Sequence, residues 1–204
     1  MGKRDQMLDR AYEQAKVDIE ETYESRVASA PGEPGSVPES GDRKDSGSVL
    51  ATEQVAEVAA QYRREGKRII FTNGCFDLLH RGHVAYLAEA KRLGDILILG
   101  LNSDDSVRRL KGNGRPVLLV QDRAEILTAL RSVDHVVVFD EDTAENLVDL
   151  VRPDVYVKGG DYNSEFPTPE AKRAARYGAE FRVLSYVESA STSQLIDRII
   201  QIQH

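Results

Sequence analysis

Two imidazoles three residues apart offer the first chemistry in this chain. His80-Arg81-Gly82-His83 follows an apolar stretch and the bend Gly74-Cys75-Phe76-Asp77, where the pattern turns helical. At that spacing on a starting helix, both side chains can point at one ligand. Gly82 lets a phosphate come close to the main chain. The helix N-terminus adds unpaired N–H groups and partial positive charge. Two histidines alone do not make a protein zinc site, which takes three or four ligands. The plain alternative is two ordinary histidines, one packed and one exposed, and the strand and bend that precede them weigh against it.

Other polar and glycine-rich segments fall at matching places. Asn102-Ser103-Asp104, Lys158-Gly159-Gly160-Asp161-Tyr162 and Ser189-Ala190-Ser191-Thr192-Ser193 each follow an apolar run. In open α/β sheets, ligands bind beyond the carboxyl ends of the strands, at the point where strand order reverses. Arg108, Arg109, Lys111 and Arg115 form a basic cluster with no acid among residues 108–115; it is either a polyanion site or a solvated face. The chain contains no G-x-G-x-x-G, no G-x-x-x-x-G-K-[ST] and no H-E-x-x-H, so neither a dinucleotide fingerprint nor a P-loop supplies the phosphate site.

The elements that must position these residues show in the hydrophobic pattern. Ile69-Ile70-Phe71, Ile96-Leu97-Ile98-Leu99, Val136-Val137-Val138-Phe139, Val155-Tyr156-Val157 and Phe181-Arg182-Val183-Leu184 read as five strands. The unbroken second run suits a strand covered on both faces. Helical faces come between them: Val84 to Ala88, Ala124 to Leu130, Asn146 to Val151 and Ala171 to Tyr177, with Leu195 to Ile200 last. The alternation predicts an α/β domain with a doubly wound, mainly parallel five-stranded sheet over residues 49–204.

Two segments precede that domain. Residues 1–30 form an N-terminal extension in which Leu8, Tyr12, Ala15, Ile19, Tyr23 and Val27 recur at helical spacing. Residues 31–48 read as a flexible, disordered linker: 11 of 18 are Pro, Gly or Ser, six are charged and Val37 alone is apolar. Such a stretch cannot offset its ordering entropy by burial.

The 204 residues carry a net charge of −7, with an excess of acid both before and after residue 50. That is not the footprint of a duplex nucleic-acid binder. No apolar run reaches the roughly 18 residues of a membrane span, and Met1 to Arg10 lacks the apolar core of a signal peptide. Cys75 is the single cysteine, which excludes an intrachain disulfide framework. Together these features point to the cytoplasm.

Gly74-Cys75-Phe76-Asp77-Leu78-Leu79-His80-Arg81-Gly82-His83 resembles the signature of the H-x-G-H nucleotidyltransferase superfamily, a Rossmann-like fold, and the resemblance covers about residues 67–200. Lys111-Gly112 with Arg115-Pro116-Val117, Asp122-Arg123-Ala124-Glu125-Ile126-Leu127 and Val157-Lys158-Gly159-Gly160-Asp161-Tyr162 are most similar to the D-glycero-β-D-manno-heptose 1-phosphate adenylyltransferases. The resemblance implies attack of a sugar 1-phosphate oxygen on the α-phosphate of ATP, giving an ADP-sugar and pyrophosphate.

The resemblance also implies roles. His80 and His83 would donate to the α-phosphate and leaving oxygen, with Lys111 as a third catalytic group. Gly74, Cys75, Phe76, Gly82, Asp104, Lys158, Gly159, Asp161, Ser191, Thr192 and Ser193 would bind the nucleotide. Asp77, Arg115 and Arg123 would serve the sugar phosphate, Asp77 more as a brace for the histidine loop. Cys75 has no sequence-defined base and is not read as a nucleophile. Mg²⁺ is expected between the phosphates, with no dedicated protein metal site. A homodimer and a sugar kinase on a separate chain are the expected partners. Cytidylyltransferase relatives carry Arg-Thr-Glu-Gly-Ile-Ser-Thr before the last helix, where this chain has Tyr186-Val187-Glu188-Ser189-Ala190-Ser191-Thr192; the missing arginine favours ATP. Two alternatives remain open: a cytidylyltransferase for glycerol phosphate or another phosphoalcohol, and a catalytically idle nucleotide-binding scaffold.

Overall fold

The computed structural model describes residues 47–159, 167–184 and 192–202. The expected extension and most of the linker, together with Asp161 and Ser191, lie outside the described residues. Six strands form one sheet: β1 (Ser48–Leu50), β2 (Ile69–Gly74), β3 (Ile96–Asn102), β4 (His135–Phe139), β5 (Val155–Gly159) and β6 (Glu180–Leu184). Their spatial order is β1-β4-β3-β2-β5-β6, and every neighbouring pair is parallel.

The helices are α1 (Thr52–Arg64), α2 (Arg81–Lys91), α3 (Asp104–Lys111), α4 (Val120–Thr128), α5 (Glu145–Val151), α6 (Pro169–Ala175) and α7 (Thr192–Ile202). None of the described helices is long and apolar enough to cross a membrane. The expected five-stranded sheet is thus corrected to six. Ser48, Val49 and Leu50 pair with His135, Val136 and Val137, so the fold begins within the segment expected to be linker. Three residues carry no readable period, and only their pairing with β4 makes them a strand. Helices α1 and α3 were not expected either: α1 buries only Val55 and Ala59, and α3 only Ser106 and Val107.

Alternation along the inner strands divides the core between the two faces of the sheet. Ile69, Phe71, Ile98, Val137 and Tyr156 join Val55, Ala59, Leu147, Val148 and Val151 on one side. Ile70, Leu97, Leu99, Val136 and Val157 join Leu87, Ala124 and Leu127 on the other. Each fully buried Leu or Ile contributes about 1.5–3 kcal/mol. Crossovers lead from β2 to β3 on one side, and from β4 across to β5 on the other. The order in which successive strands are added therefore reverses between β2 and β5, which places the ligand crevice beyond the carboxyl ends of these two strands.

Candidate active site

Strands β2 and β5 pair only at Ile70–Val155 and Phe71–Tyr156. β2 runs on to Gly74 against β3, so the sheet opens between Thr72 and Val157. Polar side chains fill the gap. The hydroxyls of Tyr86 and Thr72 lie 2.6 Å apart, and Tyr86 also donates to the Val157 carbonyl at 3.1 Å. The Lys158 ammonium donates to the Asn73 carbonyl at 3.0 Å. Gly159 permits this closure: a Cβ there would lie 2.9 Å from the Tyr86 ring.

Beyond the opening, the chain bends into α2 with Phe76 at φ 42°, a left-handed conformation that costs a non-glycine residue energy. A Cβ on Gly74 would sit 3.0 Å from the Phe76 ring. His80 is the N-cap residue of α2, and its side chain makes no capping bond; the first turn holds no acid. By contrast Ser103 caps α3 and Thr168 caps α6. The first N–H groups of α2 are thus left for an anion.

The His80 and His83 rings stack with centroids 3.8 Å apart and planes 22° apart. Phe76 leans on His83 at 5.3 Å. Neither Nδ1 atom has a hydrogen-bond partner among the described residues, although both are buried. Burial and the neighbouring His80 push the His83 pKa down to about 4, and burial also lowers that of His80. Both rings are therefore neutral at pH 7. Two unpartnered imidazoles held face to face cost folding energy, and a ligand that accepts hydrogen bonds relieves it.

Hydrogen bonds at Asp77 and Leu78 tie the histidine loop to its surroundings. The Asp77 carboxylate is buried and accepts from Arg115 Nη1 at 2.7 Å and from the backbone N–H groups of Val117 and Leu118 at 2.7 and 3.1 Å. Arg115 Nη2 reaches the Ser193 hydroxyl at 3.5 Å, and the Thr192 hydroxyl donates to the Leu78 carbonyl at 3.3 Å. The start of α7 is thereby held against the loop that carries the histidines.

Arg123 is turned into the interior. It is fully buried, and its guanidinium donates to the carbonyls of Leu118, Cys75 and Asn102 and to the Asp104 carboxylate, at 3.0, 2.6, 2.9 and 2.6 Å. Arg123 and Asp104, expected to contact substrate and nucleotide, are instead bound to each other and lock the phosphate loop to the end of β3. The basic cluster is likewise divided. Arg108 pairs with Asp105, Arg109 with Asp140 and Asp142, and Arg115 with Asp77. Asp105 stands three residues before Arg108 on the same helix, whereas Asp77, Asp140 and Asp142 come from other segments and were concealed by sequence distance. Lys111 is exposed at the end of α3.

Cys75 is a free thiol. Burial raises its pKa against the opposing pull of Lys111, Arg123 and Lys158, which leaves it protonated at neutral pH. Among the described residues, no group of three or more His, Cys, Asp and Glu side chains could hold a metal ion. Sequence reasoning missed Asn73, Tyr86, Tyr156 and Glu170. These line the split between β2 and β5, and no local signal distinguishes them from strand or helix-cap residues.

Residues 71–196 match the family model described as cytidylyltransferase-like, and the chain belongs to that family. Over 153 residues it is 53% identical to the bifunctional protein HldE of Syntrophotalea carbinolica, covering 74% of this chain and 31% of that protein. Over 147 residues it is 48% identical to the bifunctional protein HldE of Geobacter sulfurreducens, covering 72% and 30%. The chain thus spans about a third of the length of these relatives. The crystal structure of the lipopolysaccharide core biosynthesis protein from Thermoplasma volcanium is similar with a TM-score of 0.50 and 28% identity, covering 61% of this chain and all of that one.

Proposed function

We propose that this chain transfers AMP from ATP to a sugar 1-phosphate, a heptose 1-phosphate in the first instance, releasing pyrophosphate. The observation that carries the reading is the stacked, unpartnered His80–His83 pair at an uncapped helix N-terminus. About half identity to the HldE proteins across this region supports the heptose, as does the arginine missing before α7 for ATP over CTP.

A sugar-phosphate oxygen, already ionised at pH 7, attacks the α-phosphorus, and the bond from the α-phosphorus to the bridging oxygen of the β-phosphate breaks. No strong base is needed, so positioning and charge stabilisation provide the rate. A neutral imidazole carries one N–H. His80 and His83 each donate one hydrogen bond to the α-phosphate and the departing oxygen, and the N–H groups at the start of α2 add to them. Thr192 and Ser193 receive the β- and γ-phosphates beside Arg115. Lys111, exposed and mobile-stemmed, swings toward the phosphates. Asp77 and Arg123 position the loop and do not touch substrate.

Mg²⁺, when bound, neutralises charge between the phosphates and needs few protein ligands. The residues fit an ion that would be held chiefly by phosphate oxygens, since the nearby Asp77 and Asp104 carboxylates pair with Arg115 and Arg123. The compartment in this reading is the cytoplasm, which holds ATP and sugar phosphates.

A pyrophosphate-release screen of sugar 1-phosphates and glycerol phosphate with ATP and CTP tests the reading. Turnover with ATP and D-glycero-β-D-manno-heptose 1-phosphate is the expected result. Higher kcat/KM with CTP for any acceptor, or no pyrophosphate with any pair, refutes it.

A further inference from the structure

Where β2 and β5 part, a side chain takes the place of the next rung. The strands pair at Ile70–Val155 and Phe71–Tyr156. The register would continue with Thr72 opposite Val157, and there the sheet opens. Tyr86, in the second turn of α2, joins these two residues. Its hydroxyl donates to the Val157 carbonyl at 3.1 Å and lies 2.6 Å from the hydroxyl of Thr72, a fully buried residue. A phenol carries one proton. With that proton directed at Val157, the phenolic oxygen accepts from Thr72. The Tyr86 ring lies against Gly159, where an added Cβ would stand 2.9 Å from two of the ring carbons.

The same helix carries the imidazoles. His83 precedes Tyr86 by three residues, so the two share one side of α2. His80 gives the helix no side-chain cap. The Nδ1 atoms of His80 and His83 have no hydrogen-bond partner among the described residues. The stacked rings are therefore placed by the rotation and depth of α2, together with Phe76 against His83. Leu87 and Ala90 bury the helix in the core. Apolar burial has no direction and tolerates small shifts of the helix. A hydrogen bond does not, since it weakens steeply with angle and distance.

We infer that Tyr86 is a positioning residue for the transfer step: its hydroxyl keys α2 into the parted strands, and so fixes where the imidazoles one turn earlier meet the α-phosphate. The inference rests on the nucleotidyl-transfer reading, and it deepens that reading by tying the histidine helix to the strand that ends at Lys158 and Gly159.

Tyr86→Phe keeps the ring on Gly159 and removes the hydroxyl. Thr72→Val removes the same bond from the other side with little change in volume. Each variant is assayed for pyrophosphate release at saturating substrates, with ATP and D-glycero-β-D-manno-heptose 1-phosphate or whichever pair of the screen above the wild type turns over. Nucleotide binding is measured by calorimetry alongside. In both variants kcat should fall about tenfold, because a small misplacement of reacting groups costs up to about 10² in rate. The nucleotide Kd should stay within about twofold of wild type, because the loss falls on the transition state. The double variant should also lose about tenfold rather than about a hundredfold, because both substitutions remove one bond. Thr72→Ser, which keeps the hydroxyl, should recover most of the rate that Thr72→Val loses.

A folded Y86F with wild-type kcat overturns the inference while leaving the transfer reading intact. So does a double variant whose losses multiply, since the two hydroxyls would then act apart. A wild type that releases no pyrophosphate with any pair overturns both. Should Y86F fail to fold, T72V and T72S carry the test, and equal kcat in those two overturns the inference.

Discussion

Replacing His83 by alanine separates a catalytic imidazole from a packed one, because the two readings predict opposite changes in stability. In the folded chain the His83 pKa is about 4, against an ordinary value of 6.5. The unfolded chain therefore binds more protons between those pH values. The contribution of neutral His83 to stability is fully present above pH 6.5 and is lost as the pH falls toward 4. At about 1.4 kcal/mol per pH unit, that loss amounts to about 3 kcal/mol at its full extent. H83A has nothing to protonate there. It also removes a buried Nδ1 that has no partner, at the expense of the ring contact with Phe76, worth about 0.5–1.5 kcal/mol. Near pH 7.5 the variant should match the wild type within about 1 kcal/mol. By pH 4.5 it should be the more stable of the two by about 2 kcal/mol, measured by urea unfolding at both pH values.

Its activity should move the other way. A donor aimed at charge that develops in the transition state contributes about 10²–10³ in kcat, so pyrophosphate release at saturating ATP should fall by that factor. His80→Ala should do the same, and the double variant should lose less than the product, since both rings serve one reacting centre. A folded H83A with near wild-type kcat would remove the imidazoles from the mechanism. A variant destabilised equally at both pH values would show that His83 is packing.

Asp77→Ala strands Arg115 and two loop N–H groups, so thermal unfolding should show a loss of about 3 kcal/mol, in the range for breaking a buried pair; an unchanged Tm would mean the brace carries no weight. Arg123→Lys offers one ammonium to four acceptors and should cost at least about 2 kcal/mol from buried carbonyls left unpaired, with kcat lowered as the loop loosens; full activity at unchanged stability would restore Arg123 as a candidate ligand group. Gly159→Ala drives a methyl into the Tyr86 ring and should destabilise by about 1–3 kcal/mol as an overpacked contact, checked by chemical denaturation. A chain beginning at residue 45 should keep kcat, whereas one beginning at residue 52 loses β1 and should be less stable by calorimetry; a large loss of kcat in the first, at equal folded fraction, would bring the earlier residues into the site.

The periodicity of the chain alone determines the α/β class, five of the six strands and the edge at which the polar segments collect. Apolar runs such as Ile96 to Leu99 have only one way to bury both faces, and parallel strands then carry their loops to a common edge. The H-x-G-H spacing is likewise local, because three residues of helix suffice to bring two rings together. What the tertiary structure decided concerns pairing between distant elements. Sequence leaves Arg109 and Arg115 as free cations, whereas the fold assigns each an acid, and Asp77, Asp140 and Asp142 are far from them along the chain. Arg123 reads as a phosphate ligand until four acceptors from other segments surround it. Ser48 to Leu50 become a strand only beside β4. Glu170 carries no motif; its bonds to Asn73 and Ala144 join segments far apart along the chain. Backbone preference and hydrophobic period act over a few residues and can be read from them. The partner of a charge is set by which elements the sheet order makes neighbours, and that order is a property of the whole packed domain.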